Sequence, residues 1–393
     1  MKILYITTSY EQKNSSAAIR NNALVNGFID LGHDVTVLTP QWPSFAESEF
    51  LKRQNKAKII HSKIPDLELL KFTSRSTSIK KNKILMKVRR FIRDLVYFPD
   101  MCKKWKDLIS FEEIGSDYDI IISSSDLKSS HYVAQCIKKT LKNVRWIQIW
   151  GDPWGDDITL SKLIRPIAKI AERKLINSAD NIVYISELTK LRMALLYPDE
   201  AKKMSFIPRS YFCEVRHGRA DNKNMISIVY PGELSWGRSV NIFIESIEEF
   251  NKKREKKICV KLYGNYTSDI YSTLSKYEFV QINSSVEFEK ILELFANEDI
   301  LLFISNRSKS TQIPGKLFDY LGTELPVICL VNSYSDKIAK ILKNIKRCIL
   351  VENNKNEILK LLNGIDGISS RRFVYDEDYS PRTIAENIIK LLE

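Results

Sequence analysis

The sequence predicts an α/β protein made of two similar lobes, each with a parallel sheet wound by helices. Short apolar runs alternate with stretches of helical spacing, and this alternation is typical of a doubly wound parallel sheet. It begins with the run KILYITT at the amino terminus and begins again near Ser227 with ISIVYPG. The length of 393 residues agrees with two or three domains, at roughly 100–200 residues per domain.

Apolar runs predict the strands in chain order. In the first lobe they are KILYITT, DVTVLT, DIIISSS, RWIQIW and NIVYIS. In the second lobe they are ISIVYPG, ICVKLYG, FVQIN, DILLFIS and VICLV. Residues 202–224 contain no clear helix and therefore indicate a linker between lobes at residues 1–205 and 225–380. A Ser-Pro pair begins a last amphipathic helix over residues 381–393, because proline is favoured in the first turn of a helix.

The chain is strongly basic, with 61 Lys and Arg residues, 48 Asp and Glu residues and a formal net charge of +13. Such an excess favours an anionic partner, namely nucleic acid, anionic lipid or a phosphorylated substrate. A general genomic bias toward Lys, Asn and Ile would produce the same composition. The basic residues are dispersed and no RNA- or DNA-binding motif is present, so we expect no nucleic-acid partner.

Neither a disulfide framework nor a zinc site is indicated, because the 6 cysteines form no C-x-x-C pair. The first residues, MKILYITTSY, contain an apolar run that is too short for a signal peptide. No run approaches the ~20 apolar residues that a membrane span needs. We therefore expect a cytoplasmic protein that does not cross the membrane.

Candidate ligand residues lie in the loops that follow strands, since ligands of such sheets bind beyond the carboxyl ends of the strands. The loop after the first strand lacks the dinucleotide motif G-x-G-x-x-G and carries small residues and Arg20, which faces either the ligand or solvent. His131 follows DIIISSS, where it would orient a sugar hydroxyl or serve in capping and packing. Asp152 and Trp154 lie in the GDPWGDD loop, whose carboxylates suit acid–base chemistry, helix capping or a divalent metal.

Two loops of the second lobe suit a phosphate ligand. GELSWGR follows the strand ISIVYPG, where Gly232 exposes backbone and Arg238 offers a cation to phosphate. The segment IPGKLFDYLGTELPVI places Lys316 and Asp319 on one face of a predicted helix that its Pro-Gly pair opens. These two side chains form either a surface ion pair of roughly a few tenths of a kcal/mol or part of a ligand site with the free N–H groups of the helix start.

These motifs resemble those of GT-B glycosyltransferases, specifically the retaining glycosyltransferase family 4. GELSWGR is similar to the family's G-R-L-x-x-x-K loop, with Arg238 in place of Lys and Glu233 in place of Arg. IPGKLFDYLGTELPVI is similar to the block P-x-K-x-x-E-Y-x-x-x-x-x-P-V-I, where Asp319 replaces the second of two glutamates and Thr311 the first. LGHDVTVLT resembles the block GH-x-V-x-V, and further blocks follow in the family's order, so the resemblance covers nearly the whole chain.

The resemblance implies two Rossmann-like lobes that face across a cleft, with the last helix crossing back to the N-terminal lobe. It implies that the second lobe binds a nucleotide-sugar as co-substrate, with no cofactor and no metal ion. Arg238 and Lys316 would neutralise the donor diphosphate, and Asp319 would accept hydrogen bonds from the ribose hydroxyls. The assigned residues are catalytic Arg238, Lys316 and His131; donor-binding Gly232, Asp319, Thr311, Pro314 and Gly315; and acceptor-binding Arg20, Asp152 and Trp154.

The resemblance further implies a transferase that acts on a glycan or lipid-linked glycan acceptor in the assembly of a bacterial surface polysaccharide, such as lipopolysaccharide O-antigen or capsule. Two other functions stay open. One is a nucleotide-sugar epimerase of the same fold, and the other is a non-catalytic subunit that binds donor or partner. The departures from the family pattern at Glu233 and Thr311 keep the non-catalytic function open.

Residues 80–106 predict contact with an anionic membrane surface. The segment holds ten Lys or Arg residues, and apolar residues recur at helical spacing from Ile84 to Leu95, with Phe98 and Trp105 beyond. A basic helix with an apolar stripe suits the headgroup layer of a bilayer. Alternatively, the stripe packs on the N-terminal lobe and only the basic face meets solvent.

Overall fold

The computed structural model describes residues 1–68, 83–157, 160–218, 224–234, 238–306 and 313–393. Two compact units make up this part of the chain. Unit 1 consists of Met1–Ser210 with Pro381–Glu393, and unit 2 consists of Tyr211–Ser380. Thr311 and the first part of the predicted membrane segment, residues 80–82, lie outside the described residues.

Unit 1 contains a sheet of seven parallel strands in the order β3-β2-β1-β4-β5-β6-β7. The central strands are almost wholly buried, since helices cover both faces, which explains their near-continuous apolar sequences. The strands are β1 Lys2–Thr7, β2 Asp34–Pro40, β3 Lys58–Ser62, β4 Ile120–Ser125, β5 Arg145–Trp150, β6 Asn181–Tyr184 and β7 Met204–Phe206. Strand order reverses between β1 and β4, where the loops diverge to leave room for a ligand.

The helices of unit 1 pack on both faces of this sheet. α1 and α16 share one apolar cluster with the sheet, whereas α6, α7 and α8 contribute to the cluster on the opposite face. The helices are α1 Ser16–Asp30, α2 Glu49–Gln54, α3 Pro65–Glu68, α4 Lys83–Val96, α5 Phe111–Ile114, α6 Ser129–Thr140, α7 Arg165–Ser178, α8 Glu187–Leu196 and, from the end of the chain, α16 Pro381–Ile389.

Unit 2 contains a six-stranded parallel sheet in the order β10-β9-β8-β11-β12-β13. Its strands are β8 Met225–Pro231, β9 Lys257–Tyr263, β10 Val280–Asn283, β11 Ile300–Ile304, β12 Val327–Val331 and β13 Cys348–Glu352. Its helices are α9 Asn241–Lys252, α10 Ser268–Leu274, α11 Phe288–Asn297, α12 Lys316–Leu321, α13 Lys337–Leu342, α14 Lys355–Asn363 and α15 Ile365–Ser369. Apolar clusters fill both faces of the sheet.

The predicted fold class, with two doubly wound parallel sheets, is confirmed. Every predicted strand is present, but the sequence patterns do not predict β3, β7 or β13. All three are edge strands. An edge strand has a neighbour on one side only and is covered less completely, so its sequence need not be a long apolar run. β7 moreover lies inside the stretch read as a linker.

The final helix packs against the first one, as the resemblance implies. Gly27 on α1 makes this possible, because a Cβ atom at that position would lie 2.2 Å from the Pro381 carbonyl oxygen. Arg382 Nη1 donates a hydrogen bond to the Asp30 carbonyl at 2.9 Å and so holds the start of α16 against the end of α1. The chain end is therefore an integral part of unit 1.

The part of the α4 apolar stripe whose side chains are described, from Val88 onward, is largely exposed and does not pack inward as the alternative supposed. Val88, Ile92 and Leu95 are exposed, whereas Trp105, beyond the helix, is fully buried in the core of unit 1. None of the helices in the described ranges combines the length and the apolar character that a membrane crossing requires.

We expect Gly27→Ala to destabilise the protein. Alanine gains about 0.5–1 kcal/mol over glycine within a helix, but overpacking against the Pro381 backbone costs about 1–3 kcal/mol. Thermal denaturation should show a lower midpoint, by about 2–4 °C per kcal/mol. Gly367→Ala on α15 is the matched control, since no atom lies within 4 Å of its added methyl. An unchanged midpoint for Gly27→Ala would show that α16 is not held tightly there.

Candidate functional site

The carboxyl end of β8 and the start of α12 bring Lys316 against the backbone of unit 2. Lys316 Nζ donates a hydrogen bond to the Pro231 carbonyl oxygen at 2.8 Å. The same nitrogen lies 4.2 Å from the centroid of the Tyr230 ring, which is a cation–π distance. The ammonium group is thus fixed at the strand end where a ligand of such a sheet binds.

Burial lowers the pKa of Lys316 to about 7, and the positive charge of Arg238 acts in the same direction. The negative charges of Glu233 and Asp319 oppose this shift without cancelling it. Near neutral pH the amine is therefore divided between its charged and neutral forms. An anion bound nearby would favour the charged form and raise this pKa again.

Gly232 leaves the space that the Lys316 ammonium occupies. A Cβ atom on Gly232 would lie 1.6 Å from Lys316 Nζ. The glycine itself is held from two sides, since its N–H donates to the Tyr263 carbonyl at 2.7 Å and its carbonyl accepts from the Tyr266 hydroxyl at 2.9 Å. A side chain at position 232 would therefore displace the Lys316 ammonium from this contact.

Arg238 is oriented by neutral oxygen atoms. Its Nε and Nη2 both donate to Asn306 Oδ1, at 3.0 and 2.7 Å, and its Nη1 donates to the Glu233 carbonyl at 3.3 Å. These contacts fix the guanidinium without neutralising its charge. Arg238 and Lys316 together place two cations at this edge of the sheet, and such a pair suits phosphate groups.

Asp319 lies in the first turn of α12 and is 7% exposed. Helix α12 is only six residues long. The N–H groups of Leu317 and Phe318 already donate to the carbonyls of Pro314 and Gly315, each at 3.1 Å. These two N–H groups are therefore already used within the helix, and Lys316 and Arg238 are the cations of the site.

Two predicted acceptor residues lie at the carboxyl ends of β4 and β5 in unit 1. Arg20 Nη2 donates to Ser124 Oγ at 3.1 Å and pairs with Asp126 at 3.2 Å. Asp152 is exposed, and its carbonyl accepts a hydrogen bond from Lys128 Nζ at 3.5 Å. Their role toward an acceptor stays a prediction.

The structure does not support the roles assigned to His131 and Trp154. His131 is 0% exposed, its Nδ1 is 2.7 Å from Ser123 Oγ and its ring packs on Trp150 with 4.5 Å between centroids. Burial lowers its pKa well below the usual value, so the ring is neutral. Trp154 is 3% exposed and stacks on Phe98. Groups enclosed in the core cannot touch a substrate in this conformation.

The GDPWGDD loop is held by ion pairs and by a buried glutamate. Asp156 pairs with Arg192 at 2.6 Å and with Lys169 at 3.6 Å. Glu172 on α7 accepts the Trp154 N–H at 2.6 Å. Over the ranges that the structure describes, no cluster of three or more His, Cys, Asp or Glu side chains could hold a metal ion. The carboxylate of Asp156 therefore serves to fix the loop.

Sequence reasoning missed Tyr230, Asn306 and Glu172. Tyr230 is hidden within an apolar strand run, and Asn306 is the first polar residue after another strand. Glu172 left a detectable signal, because it occupies an inward-facing position of α7 between Ala168 and Leu175. A carboxylate on the apolar face of a helix indicates a buried polar contact.

Solved structures with a similar architecture include proteins bound to UDP or UDP-GlcNAc. TarM matches with a TM-score of 0.61 and 13% identity, over 100% of this chain and 99% of its own. The UDP-GlcNAc 2-epimerase of Neisseria meningitidis bound to UDP-GlcNAc matches with a TM-score of 0.56 and 13% identity, over 100% of this chain and 99% of its own. An α-glucosyltransferase in complex with UDP and a 13-mer DNA containing an HMU base matches with a TM-score of 0.56 and 10% identity, over 100% of both chains. This likeness shows the GT-B fold. No protein-family model and no curated sequence matches the chain significantly.

We expect Lys316→Met to stabilise the protein more at low pH than at high pH. The folded-state pKa of about 7 lies below the ordinary value of 10.5, so the unfolded chain binds more protons between these values. Wild-type stability therefore falls as the pH drops from 10.5 toward 7. Methionine carries no charge and so removes this loss of stability at low pH, although it also loses the hydrogen bond to the Pro231 carbonyl. The midpoint difference between variant and wild type should be larger at about pH 6 than at about pH 9.

Lys337→Met on the exposed surface of α13 is the control for this experiment. It should give the same difference from wild type at both pH values. A Lys316→Met variant whose midpoint difference does not change with pH would contradict the burial of the Lys316 ammonium.

Proposed function

We propose that the chain is a glycosyltransferase that moves a sugar from a nucleotide-sugar donor to a glycan or lipid-linked glycan acceptor, with retention and without a metal ion. The product would belong to a bacterial surface polysaccharide. The observation that carries this proposal is the convergence of two cations, Lys316 and Arg238, at the carboxyl edge of the unit 2 sheet. The GT-B fold, shared with proteins solved with UDP or UDP-GlcNAc, supports it.

The chemistry follows from charge. The bond between the anomeric carbon and the diphosphate oxygen breaks, and its electron pair stays on the departing diphosphate. The acceptor hydroxyl oxygen bonds the anomeric carbon on the face that the diphosphate leaves, and its proton passes to the departing diphosphate oxygen. Negative charge on the diphosphate grows as this happens, so cations that are already in place stabilise the transition state more than the ground state. Lys316 and Arg238 would do this, and Asp319 would accept the ribose hydroxyls.

Two features of the site suit this role. The amine of Lys316 has a pKa near 7, so binding of a diphosphate would draw a proton onto it and gain a full cation. Arg238 is held by neutral oxygens and keeps its charge for the ligand. The acceptor would be received by unit 1, near Arg20 and Asp152, at the cytoplasmic side of the membrane.

A nucleotide-sugar epimerase is the second candidate, because the Neisseria meningitidis epimerase shares the fold at a comparable TM-score. The similarity of the segment from Gly232 to Pro326 to transferase motifs favours the first candidate. Incubation of the full chain with a nucleotide-sugar separates the two. An epimerase changes the donor without an acceptor, a transferase releases the nucleoside diphosphate when an acceptor is supplied, and a non-catalytic subunit does neither.

The donor site predicts that nucleoside diphosphates stabilise the chain and that a Lys316→Ala, Arg238→Ala variant loses this effect. A ligand at 100 times its Kd raises the free energy of unfolding by about 2.7 kcal/mol. Each charge-assisted hydrogen bond contributes about 1.5–3 kcal/mol, so each single substitution should weaken binding roughly ten- to a hundredfold. Thermal shift with a panel of nucleoside diphosphates, followed by calorimetry on the best of them, measures both effects.

A Lys337→Ala, Lys343→Ala variant is the matched control, because it removes two exposed cations from the same unit. It should bind like wild type. Unchanged binding and turnover in the Lys316→Ala, Arg238→Ala variant would place the diphosphate elsewhere.

The close approach of Gly232 to Lys316 predicts coupling between the two positions. Gly232→Ala should displace the ammonium group, because the new methyl would lie 1.6 Å from it, and should weaken diphosphate binding about as much as Lys316→Ala does. In the Lys316→Ala background the same methyl meets no ammonium group and should have little further effect. A double-mutant cycle by calorimetry measures this coupling. Equal effects of Gly232→Ala in both backgrounds would mean that the methyl acts through the backbone instead.

A further inference from the structure

Three helices of unit 1 expose apolar side chains on their outer faces. On α4, Ile92 is 52% exposed, and just before α7 Leu163 is 69% exposed. On α7, Ile170 is 61% exposed, and on α8 Leu195 is 84% exposed. The inward faces of α7 and α8 contribute Ala168, Leu175 and Met193 to one core cluster. On α7 and α8 the exposed residues therefore form second apolar faces, since the first faces of these two helices are already packed.

Polar contacts tie these helices into one surface. The carboxylate of Asp94 on α4 accepts the Ser161 N–H at 2.8 Å, so the end of α4 lies against the segment that leads into α7. Asp156 pairs with both Lys169 on α7 and Arg192 on α8, at 3.6 and 2.6 Å. The outer faces of α4, α7 and α8, with residues 160–164, together form the outer helix face.

The charges of α4 and α7 are divided between inside and outside. Residues 83–96 contain five Lys or Arg residues and one acid, Asp94. Residues 160–178 also contain five Lys or Arg residues and one acid, Glu172. Both acids point inward, since the Asp94 side chain is 6% exposed and Glu172 is 2% exposed. The side chains that these two segments present to solvent, among those described, are therefore mainly basic and apolar.

We propose that the outer helix face docks on the headgroup layer of an anionic lipid bilayer. Basic residues interleaved with apolar ones are what such a layer binds, since phosphate groups meet the cations while the apolar side chains enter the acyl boundary. A second copy of the chain is a poor occupant, because two equally basic surfaces repel each other. This surface is built from unit 1 alone, and the proposal does not depend on the proposed function.

The proposal is tested by co-sedimentation of the full chain with two kinds of vesicle, phosphatidylglycerol mixed with phosphatidylcholine, and pure phosphatidylcholine. We expect binding to the anionic vesicles only, weakened by salt. Each basic residue near an anionic surface strengthens binding roughly fivefold. An Arg89→Gln, Arg90→Gln, Lys162→Gln, Lys174→Gln variant should therefore bind at least tenfold more weakly. An Ile92→Ser, Leu163→Ser, Leu195→Ser variant should also bind more weakly, with binding that remains salt-sensitive.

The matched control neutralises four exposed cations of unit 2: Lys337→Gln, Lys343→Gln, Lys346→Gln and Arg371→Gln. It changes the net charge equally and should bind like wild type, and circular dichroism and thermal melts check that all variants fold. Equal binding to both vesicle types, no binding to either, or equal loss in the control would overturn the proposal. So would self-association of the wild type that the serine variant abolishes while vesicle binding is unchanged, because a second copy would then cover the face.

Discussion

The candidate site depends on one contact, the hydrogen bond from the Lys316 ammonium to the Pro231 carbonyl. This contact exists only because Gly232 has no side chain, and Gly232 is in turn held by the backbone of Tyr263 and the hydroxyl of Tyr266. The carboxyl ends of β8 and β9 and the start of α12 are thus fixed relative to one another around a single buried amine. A side chain at Gly232 would displace this amine from the Pro231 carbonyl.

The site holds two cations, Lys316 and Arg238, close together, and the carboxylates of Glu233 and Asp319 offset only part of the cost of charging the Lys316 amine. Burial and the neighbouring Arg238 both disfavour a charged Lys316, and the direct partners of Arg238 are neutral oxygens. The fold maintains this arrangement at the expense of its own stability, as binding sites commonly do. An anionic ligand relieves the unfavourable charge, which gives the site a physical reason to prefer one.

In unit 1 several polar side chains are buried and several apolar side chains are exposed, which is the reverse of the usual distribution. His131, Glu172 and Asp94 lie inside and hold loops and helices together. Ile170 and Leu195 lie outside on helices that are already packed. A buried carboxylate is tolerated where backbone N–H groups and hydroxyls satisfy it, as the Trp154 N–H and the Tyr197 hydroxyl satisfy Glu172. Exposed apolar groups on several connected helices indicate a surface that meets something other than water.

The sequence by itself determined the fold class, because buried parallel strands require apolar runs and their connections require helices, as DIIISSS and VICLV show. It also singled out Gly232, Arg238 and Lys316, which the structure brings together at the carboxyl end of β8, and their role toward a donor stays a prediction. It did not reveal the edge strand β13 or the burial of His131. Only the tertiary structure decided these two features and the pKa of Lys316. All three depend on what packs against the residues from distant parts of the chain.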